Sequence, residues 1–246
     1  MESISQLRTI CQKPREQYDV WYGKFVARRF SIYITRVFLA MNLTPNTATS
    51  IFLLTGIVAC VFFTEGSKIG AFTAALFLQL WYILDHVDGE IARYRNTSTV
   101  TGIYYDNICH YIIHPLVFIG IGYGLWRKYA IGYVFLFSSS AAISSMLLIL
   151  LVDLRNSVLY FAGKRDLPLD TDKLTAKNPS LARKLFSALH KLCTFPPVMN
   201  IITLATITEL FCRCGVVFAV VIFYGIAMPV VWICKLSYIV AKKELD

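Results

Sequence analysis

The chain has 246 residues, 57% hydrophobic and 16% charged, against about 25% charged in an ordinary soluble domain. That balance excludes a disordered chain, a collagen-like repeat and a soluble nucleic-acid-binding domain, and it predicts an all-α integral membrane protein. The net charge of +9 then has to gather at the ends of the spans, and any charge at membrane depth becomes a functional clue. Seven cysteines without a C-x-x-C pair lie mostly in apolar runs, where they act as small hydrophobes and imply neither disulfide nor zinc framework.

In chain order, residues 1–43 read as an N-terminal cytoplasmic segment. It is polar to about residue 30, which predicts no cleaved signal peptide. Within it, residues 18–42 mix Trp21, Phe25, Phe30, Ile32, Val37 and Phe38 with Lys24, Arg28, Arg29 and Arg36, which predicts an amphipathic helix on the membrane surface. Residues 44–246 then divide at their charges into six transmembrane helices. The first runs from about Thr47 to Thr64, with Pro45 near its entry. The others lie between Lys68 and Asp85, His110 and Arg127, Lys128 and Asp153, Lys191 and Glu209, and Arg213 and Lys235. A cytoplasmic loop is expected at about 155–195, with a short helix at 179–192. Six spans put both termini on one side, which holds twenty of the twenty-four Lys and Arg residues. Lys68, Arg127, Lys128 and Arg213 fall on the other. The asymmetry predicts a multi-pass protein with both termini and the functional face in the cytoplasm, and it accounts for the positive charge through membrane lipids, with no nucleic acid.

A span needs about 20 residues, yet Asp85 and His110 bound runs too short to keep them clear of the bilayer. Asp85, Asp88 and Ala92 share one helix face within about 60°, and Gly102, Asp106 and His110 form a second stripe at i, i+4, i+8. Two such stripes facing each other bring three carboxylates and an imidazole into one small volume. Unpaired acids there would repel and protonate, so a divalent cation, Mg2+ or Mn2+ by the oxygen-rich ligand set, is the simplest remedy. Gly89 and Gly102 leave room for a phosphate near the backbone, Ala92 keeps the face open, and Arg93 suits a phosphate oxygen. Carboxylates, metal and arginine together fit phosphoryl transfer.

The stretch Asp85-His86-Val87-Asp88-Gly89-Glu90-Ile91-Ala92-Arg93, followed by Gly102, Asp106 and His110, resembles the signature of the CDP-alcohol phosphotransferase family, D-x2-D-G-x2-A-R-x8-G-x3-D-x3-D. Every signature position matches except the last, where His110 replaces aspartate. The segment Thr44-Pro45-Asn46-Thr47-Ala48-Thr49 is similar to the family's entry to its first span. The resemblance implies transfer of a substituted phosphate from a CDP-alcohol, either CDP-diacylglycerol or a CDP-linked head group, to a lipid or small alcohol acceptor. CMP is released, in phospholipid biosynthesis. It implies Asp85, Asp88 and Asp106 as metal ligands, with His110 in the fourth place, and two divalent ions. Asn46, Thr49, Gly89, Ala92, Arg93 and Gly102 would line the CDP site, His110 and Asp106 would act on the acceptor hydroxyl, and the enzyme would be a homodimer. The small-residue run Ser138 to Ser145 fits a dimer contact or a contact within one protomer.

His110 leaves alternatives open: a second ion bound more weakly, a tilt toward Mn2+ or Zn2+, a single-ion site with His110 as base, or a degenerate homologue acting as a membrane scaffold. An ion-coupled transporter would use the same acids, although they lie at one face and no inverted repeat is evident. Arg155, at the cytoplasmic end of the fourth span, reads either as a topology anchor or as a holder of acceptor or lipid phosphate, with Asp153 as its partner. His86 and His114 read as packing residues, Glu90 as a solvated or headgroup-facing acid, and Gly120, Gly122 and Gly124 as helix-packing positions.

Overall fold

The computed structural model describes residues 2–14, 20–163, 181–212 and 214–241, which are helical and contain no strand. Helix α1, Ile4–Cys11, opens on a capping box: Ser3 Oγ accepts from the Gln6 amide, and Gln6 Oε1 accepts from the Ser3 amide. A π-helical turn, Gly23–Ala27, leads into α2, Arg28–Ala40. Helix therefore occupies most of the stretch expected to be amphipathic, and several of its polar residues turn inward. Arg28, Ser31 and Thr35 are buried, whereas Trp21, Phe25, Phe30, Tyr33 and Val37 are exposed. Residues 15–19, including the beginning of the expected helix, lie outside the described residues.

Helix α3, Pro45–Thr64, starts at the Thr44 cap with proline in its first turn, where no amide partner is needed. Helices α4, Lys68–Arg95, and α5, Val100–Tyr129, span 28 and 30 residues, about 42 and 45 Å at 1.5 Å per residue. They do not stop at the charges that bound the apolar runs. Asp85 to Arg93 occupy the last turns of α4, and Gly102 to His110 the first turns of α5. A four-residue connection with Asn96 in the left-handed region joins the two antiparallel helices, and the Thr99 hydroxyl caps α5 at the Gly102 amide. With both helices packed on α3, this turn brings the two sequence stripes face to face, Asp85 Oδ1 lying 2.9 Å from His110 Nε2.

Helix α6, Gly132–Phe161, carries residues 155–161 as helix where a loop was expected. Residues 164–180, the middle of that loop, lie outside the described residues. Helix α7, Leu181–Leu192, matches the short helix expected at 179–192. It meets α8, Pro197–Phe211, at 70°, and α9, Val216–Ala241, completes the bundle. Among the described residues, five helices are long and apolar enough to cross a membrane, or six if the bent pair α7 and α8 counts as one span.

Close helix contact explains the glycines of α5. A Cβ on Gly120 would stand 2.7 Å from the Cys60 carbonyl oxygen, and one on Gly124 2.1 Å from that of Phe63. The run from Ser138 to Ser145 packs inside the protomer: Ser138, Ala141, Ala142, Ser144 and Ser145 are buried, and Ser140 Oγ donates to the Gly225 carbonyl of α9. At the end of the bundle remote from the signature, Lys128 of α5 pairs with buried Glu209 of α8 at 3.0 Å, and Glu209 also accepts from the Val217 amide at the start of α9.

Candidate active site

The ends of α3, α4 and α5 enclose a cavity of about 740 Å3. Asp85, Asp88, Asp106 and His110 line it, and so do Asn46, Thr49, Gly89, Ala92, Arg93 and Gly102. Each residue assigned to the metal and CDP sites from the sequence thus reaches one space. The three carboxylates differ in their surroundings. Asp85 Oδ1 lies 2.9 Å from His110 Nε2, and Asp106 Oδ1 lies 3.5 Å from the same nitrogen. One ligand atom from each of Asp85, Asp106 and His110 falls within a 4.8 Å cluster. Asp88 borders the same cavity but points elsewhere: its Oδ2 accepts from Thr49 Oγ1 at 2.7 Å and its Oδ1 from the Gly89 amide.

The donor set fits a divalent cation. Asp106 Oδ1 is shielded from solvent and accepts no hydrogen bond among the described residues, a costly state for a carboxylate oxygen unless a cation satisfies it. Two carboxylates and an imidazole within one cluster suit a hard or borderline divalent ion. Arg93 lies against the open face of Gly89, where an added Cβ would stand 3.1 Å from an Arg93 Nη. Gly102 is similarly bare beside Asn46, whose Oδ1 would be 3.6 Å from a Cβ there.

Arg155 is not in this cavity. It is buried and lines a separate one of about 360 Å3, shared with Asp153, His114, His190, Phe195 and Lys235. Lys235 Nζ stands 3.2 Å from His190 Nε2. Asp153 Oδ2 accepts from Tyr111 Oη at 2.9 Å. The two cavities are separated by an aromatic wall, with His110 and His114 rings 5.4 Å apart and His114 stacked on Phe195 at 3.7 Å. His114 is accordingly a packing residue, and one that lines the second cavity. His86 bonds the Tyr82 carbonyl through Nδ1 and also borders the first cavity.

Glu90 corrects the sequence expectation of a solvated or headgroup-facing acid. It is fully buried: Oε1 accepts from Ser31 Oγ at 2.6 Å and Gln12 Nε2 at 2.8 Å, and Oε2 from Thr35 Oγ1 at 2.6 Å. The polar side of α2 supplies what an acid needs to leave water. Arg28, also on that side, reaches the 740 Å3 cavity and was not anticipated there. Helix α1 was missed as well, although Ser3 and Gln6 at capping-box spacing were its signal.

The sequence profile of the CDP-alcohol phosphatidyltransferase family matches residues 41–226. The chain belongs to this family, and it is a membrane CDP-alcohol phosphotransferase of phospholipid synthesis. A search of curated protein sequences finds no match. Among solved structures, the chain is similar to Mycobacterium tuberculosis phosphatidylinositol phosphate synthase (PgsA1) with CDP-DAG bound, at TM-score 0.63 and 16% identity, covering 85% of this chain and 92% of that one. The apo form of the same protein gives TM-score 0.57 at 16% identity, covering 84% and 94%. At this identity the likeness is one of fold. The family assignment displaces the transporter alternative.

Proposed function

We propose that the 740 Å3 cavity binds the cytidine diphosphate of the donor, and that the floor formed by Asp85, Asp106 and His110 is the reacting centre. The convergence of those three side chains within 4.8 Å carries this reading. Asp85, Asp106 and His110 would hold one Mg2+ or Mn2+ ion, and Asp88, oriented by Thr49 in the same cavity, would serve a second. The metal supplies charge neutralisation for the diphosphate and the developing negative charge. Asn46, Thr49, Gly89, Ala92 and Gly102 shape the nucleotide space, and Arg93 contacts a phosphate oxygen.

The acceptor hydroxyl loses its proton to the Asp106–His110 pair, whose facing atoms are 3.5 Å apart. Its oxygen then bonds to the phosphorus bearing the donor's alcohol. The bond from that phosphorus to the bridging oxygen breaks, and CMP departs. The second cavity, where buried Arg155 lies with His190 and Lys235, suits a phosphate of acceptor or lipid. By its fold likeness to a protein solved with CDP-DAG, this chain uses CDP-diacylglycerol as donor. Six spans, cytoplasmic termini and a cytoplasm-facing cavity follow from the distribution of Lys and Arg. The enzyme acts as a homodimer whose contact lies outside the small-residue run of α6, because that run is already packed within the protomer.

The test is CMP release by the purified protein with Mg2+ or Mn2+, using CDP-diacylglycerol, CDP-choline and CDP-ethanolamine against lipid and soluble acceptors. Release with CDP-diacylglycerol alone is expected. Release only with a CDP-linked head group would overturn the donor assignment, and no release with any donor would overturn the reading of the cavity.

A further inference from the structure

Glu90 lies inside the family signature but faces away from the donor cavity, roughly 160° around α4 from Ala92 at 100° per residue. Arg93 falls between these two faces. Its Cβ belongs to the Glu90 side, while its guanidinium reaches over Gly89 into the cavity. The end of α1 meets it and its neighbour Glu90 there. Arg93 Nε donates to the Cys11 carbonyl oxygen at the end of α1, and Gln12, the next residue, donates through Nε2 to both Glu90 Oε1 at 2.8 Å and the Arg28 carbonyl at 2.7 Å. Neither Cys11 nor Gln12 lines the cavity. Both belong to a segment before residue 41, where the family match begins.

The Cys11 carbonyl is useful to Arg93 only if α1 is held in register against α4. Leu7 and Cys11 give α1 an apolar footing on Ile32 and Tyr94. Apolar contact alone is non-directional and tolerates sliding; the Gln12 bonds are directional and tie the end of α1 to both α2 and α4. Burial pushes the Cys11 thiol up to about 11, so it stays protonated at neutral pH and the backbone carbonyl is what this residue offers.

We propose that Gln12 and Glu90 are positioning residues for donor binding, clamping α1 so that the Cys11 carbonyl holds the Arg93 guanidinium in the donor cavity. The inference rests on the donor reading above. It assigns residues of α1, outside the region matched by the family, to the donor site. Losing the clamp weakens the donor's diphosphate binding without touching the groups at the reacting centre, so its effect falls on the donor KM.

The experiment is a double-mutant cycle of Gln12→Ala and Arg93→Ala in the full chain, read by CMP release against donor concentration, by calorimetric binding of CDP with Mg2+, and by thermal melting. Gln12→Ala is expected to raise donor KM about tenfold, as loss of an orienting partner does, with kcat within twofold and only a small fall in Tm, because Ser31 and Thr35 still donate to Glu90. Arg93→Ala raises KM further, and Gln12→Ala then adds nothing. Glu90→Gln, which keeps hydrogen-bonding capacity at that position, retains most donor affinity. The proposal fails if Gln12→Ala leaves KM unmoved, if its factor multiplies in full on Arg93→Ala, or if the loss appears in kcat and Tm together. Failure of the donor reading would look different: wild type itself would release no CMP and bind no CDP.

Discussion

The two ends of the α4–α5 helix pair place acidic groups in an apolar bundle and handle them in opposite ways. At the remote end Glu209 has a lysine at 3.0 Å and the Val217 amide, and the space around the pair amounts to only about 20 Å3. At the signature end Asp85 and Asp106 share one imidazole, an Asp106 oxygen lacks a hydrogen bond, and a cavity of about 740 Å3 opens beside them. A paired, filled site holds helices together. A crowded acidic site beside open space is set up for a ligand that arrives with positive charge. Glu90 shows that acidity by itself decides nothing: it lies on the same helix as Asp85, yet Gln12, Ser31 and Thr35 all donate to it.

The comparison breaks most directly at the acids. Asp85→Asn and Asp106→Asn should each cut CMP release by about 10³-fold or more, while thermal melting holds or rises because like-charge repulsion is relieved. A matching fall in Tm would return these residues to a structural role. Next in size, His110→Ala should slow transfer by about 10²-fold, and His110→Asp should restore much of it. Wild-type activity in His110→Ala would remove His110 from the chemistry. Chelation should stop turnover and lower Tm, and returning Mg2+ or Mn2+ should stabilise the fold by about 2.7 kcal/mol at a hundredfold excess over Kd. An unchanged Tm across that titration would mean that no ion binds the native state.

At the remote end the signs reverse. Lys128→Met should cost about 1–3 kcal/mol of stability by leaving Glu209 short of a partner, seen as lower Tm with kcat/KM of the folded enzyme unchanged. The smallest effect on turnover belongs to Gly124→Ala, whose Cβ would press on the Phe63 carbonyl. It should destabilise by about 1–3 kcal/mol and leave the donor KM alone, whereas Gly89→Ala, beneath Arg93, should raise that KM with little change in Tm.

Much of the site was legible because its residues are local. Asp85, Asp88 and Ala92 share a face by helical spacing alone, as do Gly102, Asp106 and His110, and a turn of four residues closes one stripe on the other. The packing role of Gly120 and Gly124 was legible for a similar reason, since a glycine run inside a helix without a preceding strand has little else to do. What stayed hidden depended on distant partners. Glu90 lies 59 residues from Ser31 and 78 from Gln12, so nothing in its neighbourhood announced that its charge would be buried. The direction of Asp88 toward Thr49 and the separate cavity of Arg155 were hidden likewise, because both follow from how whole helices pack.

The sequence by itself determined the lipid-soluble character, the division into apolar helices and the two stripes that line the signature cavity, because hydrophobic periodicity and spacing are carried by residues a few positions apart. Tertiary structure decided the rest. It extended α4 and α5 beyond their charges, formed one cavity beside the signature and a second around Arg155, and turned the polar side of α2 inward onto Glu90. The physical reason is that a buried polar group takes whichever donor the fold delivers. That delivery is a property of packed helices across the whole chain, which no local pattern records.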